Sequence, residues 1–224
     1  MLVQLQSLVG SLNFVCRAVS PGRAFIRRII ALMRGIRRPH HRIRITRGAK
    51  LDLLMWLTFL RQFNGVTPIL NQEWESCDTL EFFTDAAAAV GYGAYFQGKW
   101  FHGHWPKELH PPSIAFLELY PIVVAVMCWG PLLANRKVQF WSDNETVVHM
   151  INNQSAQCSM SMHLIRLLIL ECLKFNIAFK ASHIPGVKNE LADALSRFQM
   201  QRFKALAPQA EPDMTPLPTL PQVW

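Results

Sequence analysis

Four acidic residues spread along the chain stand where rigid elements could hold them. Asp85 and Asp143 each end a run of strand-like residues, and Glu118 and Asp193 lie in segments with helical spacing of apolar residues. If the two strands are neighbours in a sheet, both aspartates emerge at the same rim, which the other two acids reach from helices. Four such carboxylates without an arginine to neutralise them are costly unless a hard cation binds them. We therefore expect two Mg²⁺ ions, replaceable by Mn²⁺, that clamp the attacking water and the leaving oxygen of a phosphodiester.

Each acid taken alone is explained as well by a turn or a helix cap, so the chemistry depends on their convergence. The segment from His183 to Arg197 is the most informative part. Pro185 and Gly186 break the preceding apolar run, which predicts a mobile loop for the histidine. Asn189 is a candidate N-cap for a helix that points the fourth acid at the edge of a sheet. The predicted apolar face of this helix comprises Leu191, Ala194 and Leu195.

The elements that must position these residues follow an α/β order. Three β-rich runs with glycine-bearing turns begin near Leu80 and predict an antiparallel meander. A long apolar helix over 113–134, a strand ending at Asp143, two helices, a fifth strand over 176–184 and a last helix follow. We predict an α/β fold with a mixed five-stranded sheet flanked by helices, preceded by a small, mainly helical basic subdomain. The predicted units are residues 1–70, residues 79–203 and a proline-rich disordered tail over 204–224, with a linker near 71–78.

The positive charge of the chain is concentrated at its N-terminal end. Residues 1–50 hold eleven Lys or Arg and no Asp or Glu, whereas residues 51–224 hold twelve against fifteen. Such a block favours a polyanion partner, although a solvated surface would also explain it. The candidate phosphate contacts are Arg23, Arg27 and Arg34 on one face of a predicted helix, and Arg42, Arg44 and Arg47 in a strand-like segment.

Cysteine usage and hydropathy bear on the compartment. The five cysteines form no CxxC pair, which argues against a zinc site and favours a reducing environment. Residues 113–134 have the length of a membrane span, but Glu118 lies in the first turns and Pro121 follows, so we interpret them as a buried helix. We expect an intracellular protein, cytoplasmic or nuclear, with no membrane partner.

The acids and the histidine lie in segments that resemble a known family. FFTDAAAAVGYGAYF, AFLELYPIVVAV, VQFWSDNETVVHMI and SHIPGVKNELADALSR are similar, in order, to the four motifs of the RNase H domain of reverse transcriptases. The residues of the last two motifs are most similar to those of DIRS-type retrotransposons. LQSLVGSLNFVCRAVSPGRAFIRRI resembles the thumb and connection segment that follows a retroelement polymerase palm.

The resemblance implies an RNase H-like sheet and a magnesium-dependent endonuclease that cuts the RNA strand of RNA/DNA hybrids. It makes Asp85, Glu118, Asp143 and Asp193 the metal-binding catalytic acids, and His183 a loop residue that assists proton transfer or product release. No Tyr-x-Asp-Asp motif occurs, so we expect no polymerase activity. The implied partners are a hybrid or another nucleic acid, and a separate polymerase or recombinase domain of the parent element.

Two other classes of function stay open. A retroelement remnant could hold nucleic acid through its arginines without cutting it, because a truncated polymerase positions the substrate badly. An integrase or transposase nuclease also uses clustered acids, but the combination of His183 with Asn189, Glu190 and Asp193 is specific to the RNase H family.

Overall fold

The computed structural model describes residues 1–16, 20–62, 74–106, 113–185 and 189–219. The chain divides into two compact units, residues 1–69 and 70–223. The division lies next to residue 70, where the predicted N-terminal unit ends. Each unit has its own buried residues. They are described separately below.

The N-terminal unit is helical, as predicted. It contains α1 (Leu2–Val15), a 3-10 helix (Ser20–Phe25), α2 (Arg27–Ala31) and α3 (Arg47–Gln62). Its core includes Phe25 and Trp56, whose rings lie 5.5 Å and 5.9 Å from that of Phe59 in edge-to-face geometry. A β-carbon added at Gly22 would come within 2.3 Å of the Trp56 ring, so a glycine is needed for this close approach.

Two details of the N-terminal prediction are wrong. The helix expected after Pro21 is a 3-10 segment followed by only five α-helical residues. The strand-like segment over 40–46 forms no strand. The backbone at and just before its start is bonded to α1 instead, because the N–H groups of Leu2 and Val3 donate hydrogen bonds to the carbonyl groups of His41 and Pro39. Among the described residues, the alternation of basic and apolar residues there has no neighbouring strand to pair with.

The second unit is a mixed α/β structure, which confirms the predicted class. Its strands are β1 (Glu75–Ser76), β2 (Phe82–Ala87), β3 (Gly91–Phe96), β4 (Lys99–His104), β5 (Lys137–Ser142) and β6 (Ala178–His183). Its helices are α4 (Cys77–Leu80), α5 (Ile114–Trp129) with a 3-10 extension (Gly130–Leu133), α6 (Glu145–Asn152), α7 (Ser159–Lys174), α8 (Glu190–Ser196) and α9 (Met200–Leu206).

The strands form two three-stranded sheets. β2, β3 and β4 are the predicted antiparallel meander, while β1, β5 and β6 are parallel, with β5 in the centre. All five predicted strands are present and β2 contacts β5, but their joining into a single five-stranded sheet is not confirmed. The predicted linker over 71–78 is corrected in part, because residues 75 and 76 pair with Val138 and Gln139 as a sixth strand; residues 71–73 lie outside the described residues.

The long apolar helix α5 packs on β2 and β3 and against α7. Ser113 caps it by accepting a hydrogen bond from the backbone N–H of Phe116, at 3.3 Å. By length and hydropathy, Ile114–Leu133 could cross a membrane. However, 72% of its apolar 18-residue stretch is buried inside the unit, as in the core helix of a soluble protein. This agrees with the prediction of a buried helix.

The tail, which was predicted to be disordered from residue 204, is ordered as far as residue 219. Residues 200–206 form α9, and the chain beyond it follows the outer edge of β4, where Glu211 and Thr215 donate backbone hydrogen bonds to Gly98 and Trp100. The Trp100 indole donates back to the Glu211 carbonyl at 2.7 Å, and Lys99 forms an ion pair with Glu211. Proline-rich composition does not prevent docking here, because an unpaired sheet edge offers backbone partners.

Candidate active site

Asp85 lies at the centre of the site, on the face of β2 that α8 covers. Its neighbours Thr84 and Ala86 are buried, so the alternation of the strand leaves the carboxyl group half-buried. Burial raises the pKa of Asp85, a hydrogen bond from Ser196 lowers it, and the charges of Asp193 and Asp143 raise it further. The Ser196 hydroxyl donates to Asp85 Oδ2 at 2.6 Å. Asp85 therefore lies within electrostatic reach of two of the other predicted acids.

Glu118 reaches the same site from α5. Burial raises its pKa to about 9, and the charges of Asp85 and Asp143 add to the effect. No hydrogen-bond donor among the described residues offsets this cost. Glu118 is thus a half-buried carboxyl group, and in the described part of the chain no cation compensates its charged form.

Asp143 follows β5 and is exposed, beside the end of β6. The Asn144 side chain caps α6 by accepting a hydrogen bond from the Thr146 N–H at 2.9 Å, and this fixes the chain just after the acid. His183 Nε2 lies 3.1 Å from the backbone oxygen of Asp143. Because a carbonyl oxygen can only accept, Nε2 carries the hydrogen and Nδ1 is left as the basic nitrogen of the neutral ring.

The predicted loop position of His183 is corrected. The residue is the last of β6, paired with Ser142, and the N–H of Ile184 continues the ladder by donating to the Ser142 carbonyl at 3.1 Å. The strand therefore continues through His183 up to the break at Pro185, and the sheet holds the backbone of the histidine. Its side chain is exposed, so it remains accessible.

Asp193 differs from the other three acids. Arg197 Nε donates to Asp193 Oδ1, and Arg202 Nη1 donates to Oδ2, each at 2.6 Å. Burial by itself raises the pKa of Asp193, but the two arginines outweigh burial and hold the pKa below its usual range. The expectation that no arginine neutralises the acids is wrong for this residue.

Helix α8 is fixed against the sheets by contacts that the sequence did not predict. Asn189 occupies the N-cap position but makes no capping hydrogen bond with its side chain, and its Nδ2 donates to the Thr84 carbonyl at 2.8 Å. A β-carbon at Gly93 would lie 2.5 Å from Leu195 Cβ and 2.8 Å from Ser196 N, so the helix touches β3 directly. The predicted apolar face is confirmed, since Ala194 and Leu195 are fully buried and Leu191 packs against the same cluster.

Whether these residues fit Mg²⁺ depends on donor type and spacing. Asp85, Glu118 and Asp143 supply the hard oxygen donors that Mg²⁺ prefers, and a cation would relieve the cost of ionising Glu118. No three His, Cys, Asp or Glu side chains in the described ranges are grouped closely enough to hold a metal as they stand. The donor chemistry fits, and the carboxylates would have to move together to bind one ion.

The six predicted phosphate contacts of the N-terminal unit are all exposed: Arg23, Arg27, Arg34, Arg42, Arg44 and Arg47. The single helical face predicted for the first three is not observed, because Arg23 lies in the 3-10 helix, Arg27 begins α2 and Arg34 follows it. Arg27 and Arg34 still line the same open groove, together with Ile30, Ala31 and Met33. Arg28, which was not among the candidates, faces the buried Asp52 at 3.6 Å.

Sequence reasoning missed Ser196, Arg197 and Arg202 as parts of the site. Ser196 and Arg197 lie three and four residues after Asp193, the spacing at which side chains meet on a helix, so this signal was available. Arg202 belongs to α9 and gave no local signal. Neither a known family model nor a curated protein matches this sequence.

Proposed function

We propose that the chain is a retroelement-derived ribonuclease H that cuts the RNA strand of RNA/DNA hybrids by Mg²⁺-dependent hydrolysis. The observation that carries this proposal is the electrostatic coupling of Asp85, Glu118 and Asp143, which come from β2, α5 and the end of β5. The charges of three such carboxylates, contributed by three elements, repel one another, and a bound cation would relieve that cost. The order of the four motifs supports the reaction class, and a five-stranded RNase H-like sheet belongs to the same proposal.

In the reaction, water adds across a phosphodiester bond of the RNA strand. The hydroxyl group bonds to phosphorus, the P–O3′ bond breaks, and a proton goes to the departing oxygen, which leaves a 5′-phosphate and a 3′-hydroxyl. Asp85, Glu118 and Asp143 would hold Mg²⁺, which supplies positive charge and lowers the pKa of bound water. Ser196 orients Asp85, and Arg197 and Arg202 orient Asp193, whose charge acts on Asp85. His183 would move a proton through Nδ1, because Nε2 is bonded to the chain at Asp143.

One observation favours a second candidate, a nucleic-acid-binding remnant that does not cut. The ion pairs of Asp193 with two arginines remove one acid from the set, and the others are not spaced to hold an ion as they stand. In that case the exposed arginines of the N-terminal unit would still bind a polyanion. The two candidates differ in a single measurable property, cleavage in Mg²⁺.

The test is incubation with a hybrid duplex whose RNA and DNA strands carry different labels, in Mg²⁺ and in EDTA. We expect cleavage of the RNA strand alone, in Mg²⁺ alone. Asp85→Asn and Asp143→Asn should each abolish it with the fold retained, while Asp213→Asn, which changes an exposed acid of the tail, serves as the matched control. Binding of the hybrid without cleavage by the wild type would favour the remnant, and activity in Asp85→Asn would remove the metal assignment.

A further inference from the structure

The side of β5 and β6 that faces away from the core carries a polar strip. Along β5, Val138, Phe140 and Ser142 are buried, and the alternate residues Lys137, Gln139 and Trp141 are half-buried. Register pairs Gln139 with Lys180 and Trp141 with Ser182, which places the β6 residues on the same face. We call Lys137, Gln139, Trp141, Lys180, Ser182 and the adjacent Trp74 the outer strip.

Two cations converge on one aromatic ring in the outer strip. Lys180 Nζ lies 4.6 Å and Lys137 Nζ lies 5.9 Å from the centroid of the Trp74 ring, which is 38% exposed. The acid next to this tryptophan, Glu75, is already paired with Arg136 at 3.0 Å. Within the described ranges, neither lysine is in an ion pair with a carboxylate. Two like charges that share a ring and lack an acid favour an anionic partner.

The outer strip leads directly to the candidate active site. Trp141 lies in β5 two residues before Asp143, which follows the strand, and Ser182 immediately precedes His183. Six residues separate Lys137 from Asp143, which corresponds to about 20 Å of extended chain. One strand of a duplex advances about 3.4 Å per nucleotide, so the distance from Lys137 to Asp143 corresponds to about six nucleotides. A substrate strand that passes the carboxylates can therefore continue over the lysines.

We propose that the outer strip binds the backbone of the nucleic-acid substrate on one side of the cut, with Lys137 and Lys180 on phosphates and Trp74 holding both side chains in place. This inference rests on the proposed function, since it takes the same polyanion as its ligand. A protein partner fits the surface less well, because the outer strip as described consists of lysine, amide and hydroxyl side chains with two indole rings and contains no aliphatic side chain.

Binding can be tested without cleavage. A fluorescein-labelled RNA/DNA hybrid of twenty base pairs is titrated with the full chain in EDTA at several salt concentrations, and affinity is read from anisotropy. Each phosphate contact contributes about 0.9 to the slope of log affinity against log salt. We expect Lys137→Ala and Lys180→Ala each to flatten the slope by about one unit and the double variant by about two. The charge-preserving double variant Lys137→Arg with Lys180→Arg should keep the wild-type slope.

Lys99→Ala is the matched control, because this strand lysine is already paired with Glu211 and should leave the slope unchanged. An unchanged slope in the double alanine variant overturns the proposal. If that variant instead loses a dimer in sedimentation at an unchanged slope, the outer strip is an interface between copies and the proposal is equally overturned. Cleavage by the wild type in Mg²⁺ is scored separately. If the double alanine variant flattens the salt slope but the wild type does not cut, the outer strip binds nucleic acid and the proposed nuclease is rejected. If the wild type cuts and the double alanine variant keeps the wild-type slope, the nuclease stands and the outer strip is rejected.

Discussion

Replacing Glu118 with glutamine should stabilise the metal-free protein, and the gain should grow with pH. The pKa of Glu118 is raised from 4.5 to about 9 by burial and by the charges of Asp85 and Asp143. For a carboxyl group with a raised pKa, the stability contribution is fully present below the unfolded value and is lost as pH rises through the folded one. The wild type should therefore lose stability between about pH 5 and pH 9. Glutamine has nearly the same shape and no charge to lose.

The magnitude follows from proton linkage. Each pH unit above 4.5 at which folded Glu118 stays protonated costs about 1.4 kcal/mol relative to the unfolded chain. The cost is at most about 3 kcal/mol at pH 7 and about 6 kcal/mol at pH 9, and below about 1 kcal/mol at pH 5. For a unit of this size, 3 kcal/mol corresponds to a rise in Tm of roughly 6–12 °C.

The assay is thermal or urea unfolding of wild type and Glu118→Gln in EDTA at pH 5, 7 and 9. Glu190→Gln is the control, because this exposed acid in the first turn of α8 contributes only a helix-dipole interaction and should follow the wild-type curve. Added Mg²⁺ should stabilise the wild type more than Glu118→Gln, by mass action. If the curves of wild type and Glu118→Gln stay parallel from pH 5 to pH 9, burial does not set the charge of Glu118 and the electrostatic reasoning fails.

Two further predictions concern the histidine and the basic unit. His183→Ala should slow hybrid cleavage by a factor of roughly 10² to 10⁴, which is less than the loss of a metal ligand, and single-turnover rates decide it. A variant as inactive as Asp85→Asn, or as fast as wild type, contradicts the proton-transfer role. Arg23→Ala combined with Arg27→Ala should weaken hybrid binding equally for all sequences and flatten the salt slope by about two units, with cleavage at saturating substrate largely kept. An unchanged slope would mean that these exposed arginines only solvate the surface.

The sequence predicted the elements whose signals are local. β-rich runs with glycine-bearing turns located β2, β3 and β4, apolar runs located β5 and β6, and Asn144, a typical capping residue, marks the start of α6. Asp85 and Glu118 lie on the strand and the helix predicted for them, although β2 continues past Asp85 to Ala87. Periodicity and capping depend on residues within one or two turns, which is why these predictions needed no tertiary information.

The features that the sequence did not predict depend on distant partners. β1 has two residues and exists as a strand only because β5 lies beside it. The tail is ordered by hydrogen bonds to Gly98 and Trp100, more than a hundred residues earlier in the chain. Arg202 reaches Asp193 because the chain reverses at Phe198, a non-glycine residue with φ of 56°, a conformation that composition does not signal. Each of these contacts forms only once the sheets are assembled.

The distribution of positive charge within the site separates the four acids into two kinds. Asp193 has its charge balanced by Arg197 and Arg202, so it is stable as a carboxylate without any added ion. Glu118 has no such partner among the described residues, and its coupling to Asp85 and Asp143 makes full ionisation of the three costly. The carboxylates that a cation would stabilise are therefore those on β2, on α5 and at the end of β5, and not the one on α8. Ser196 of α8 bonds to Asp85, and Arg197 after α8 and Arg202 on α9 bond to Asp193, so these residues position the acids. A divalent ion would first be drawn to the other three acids.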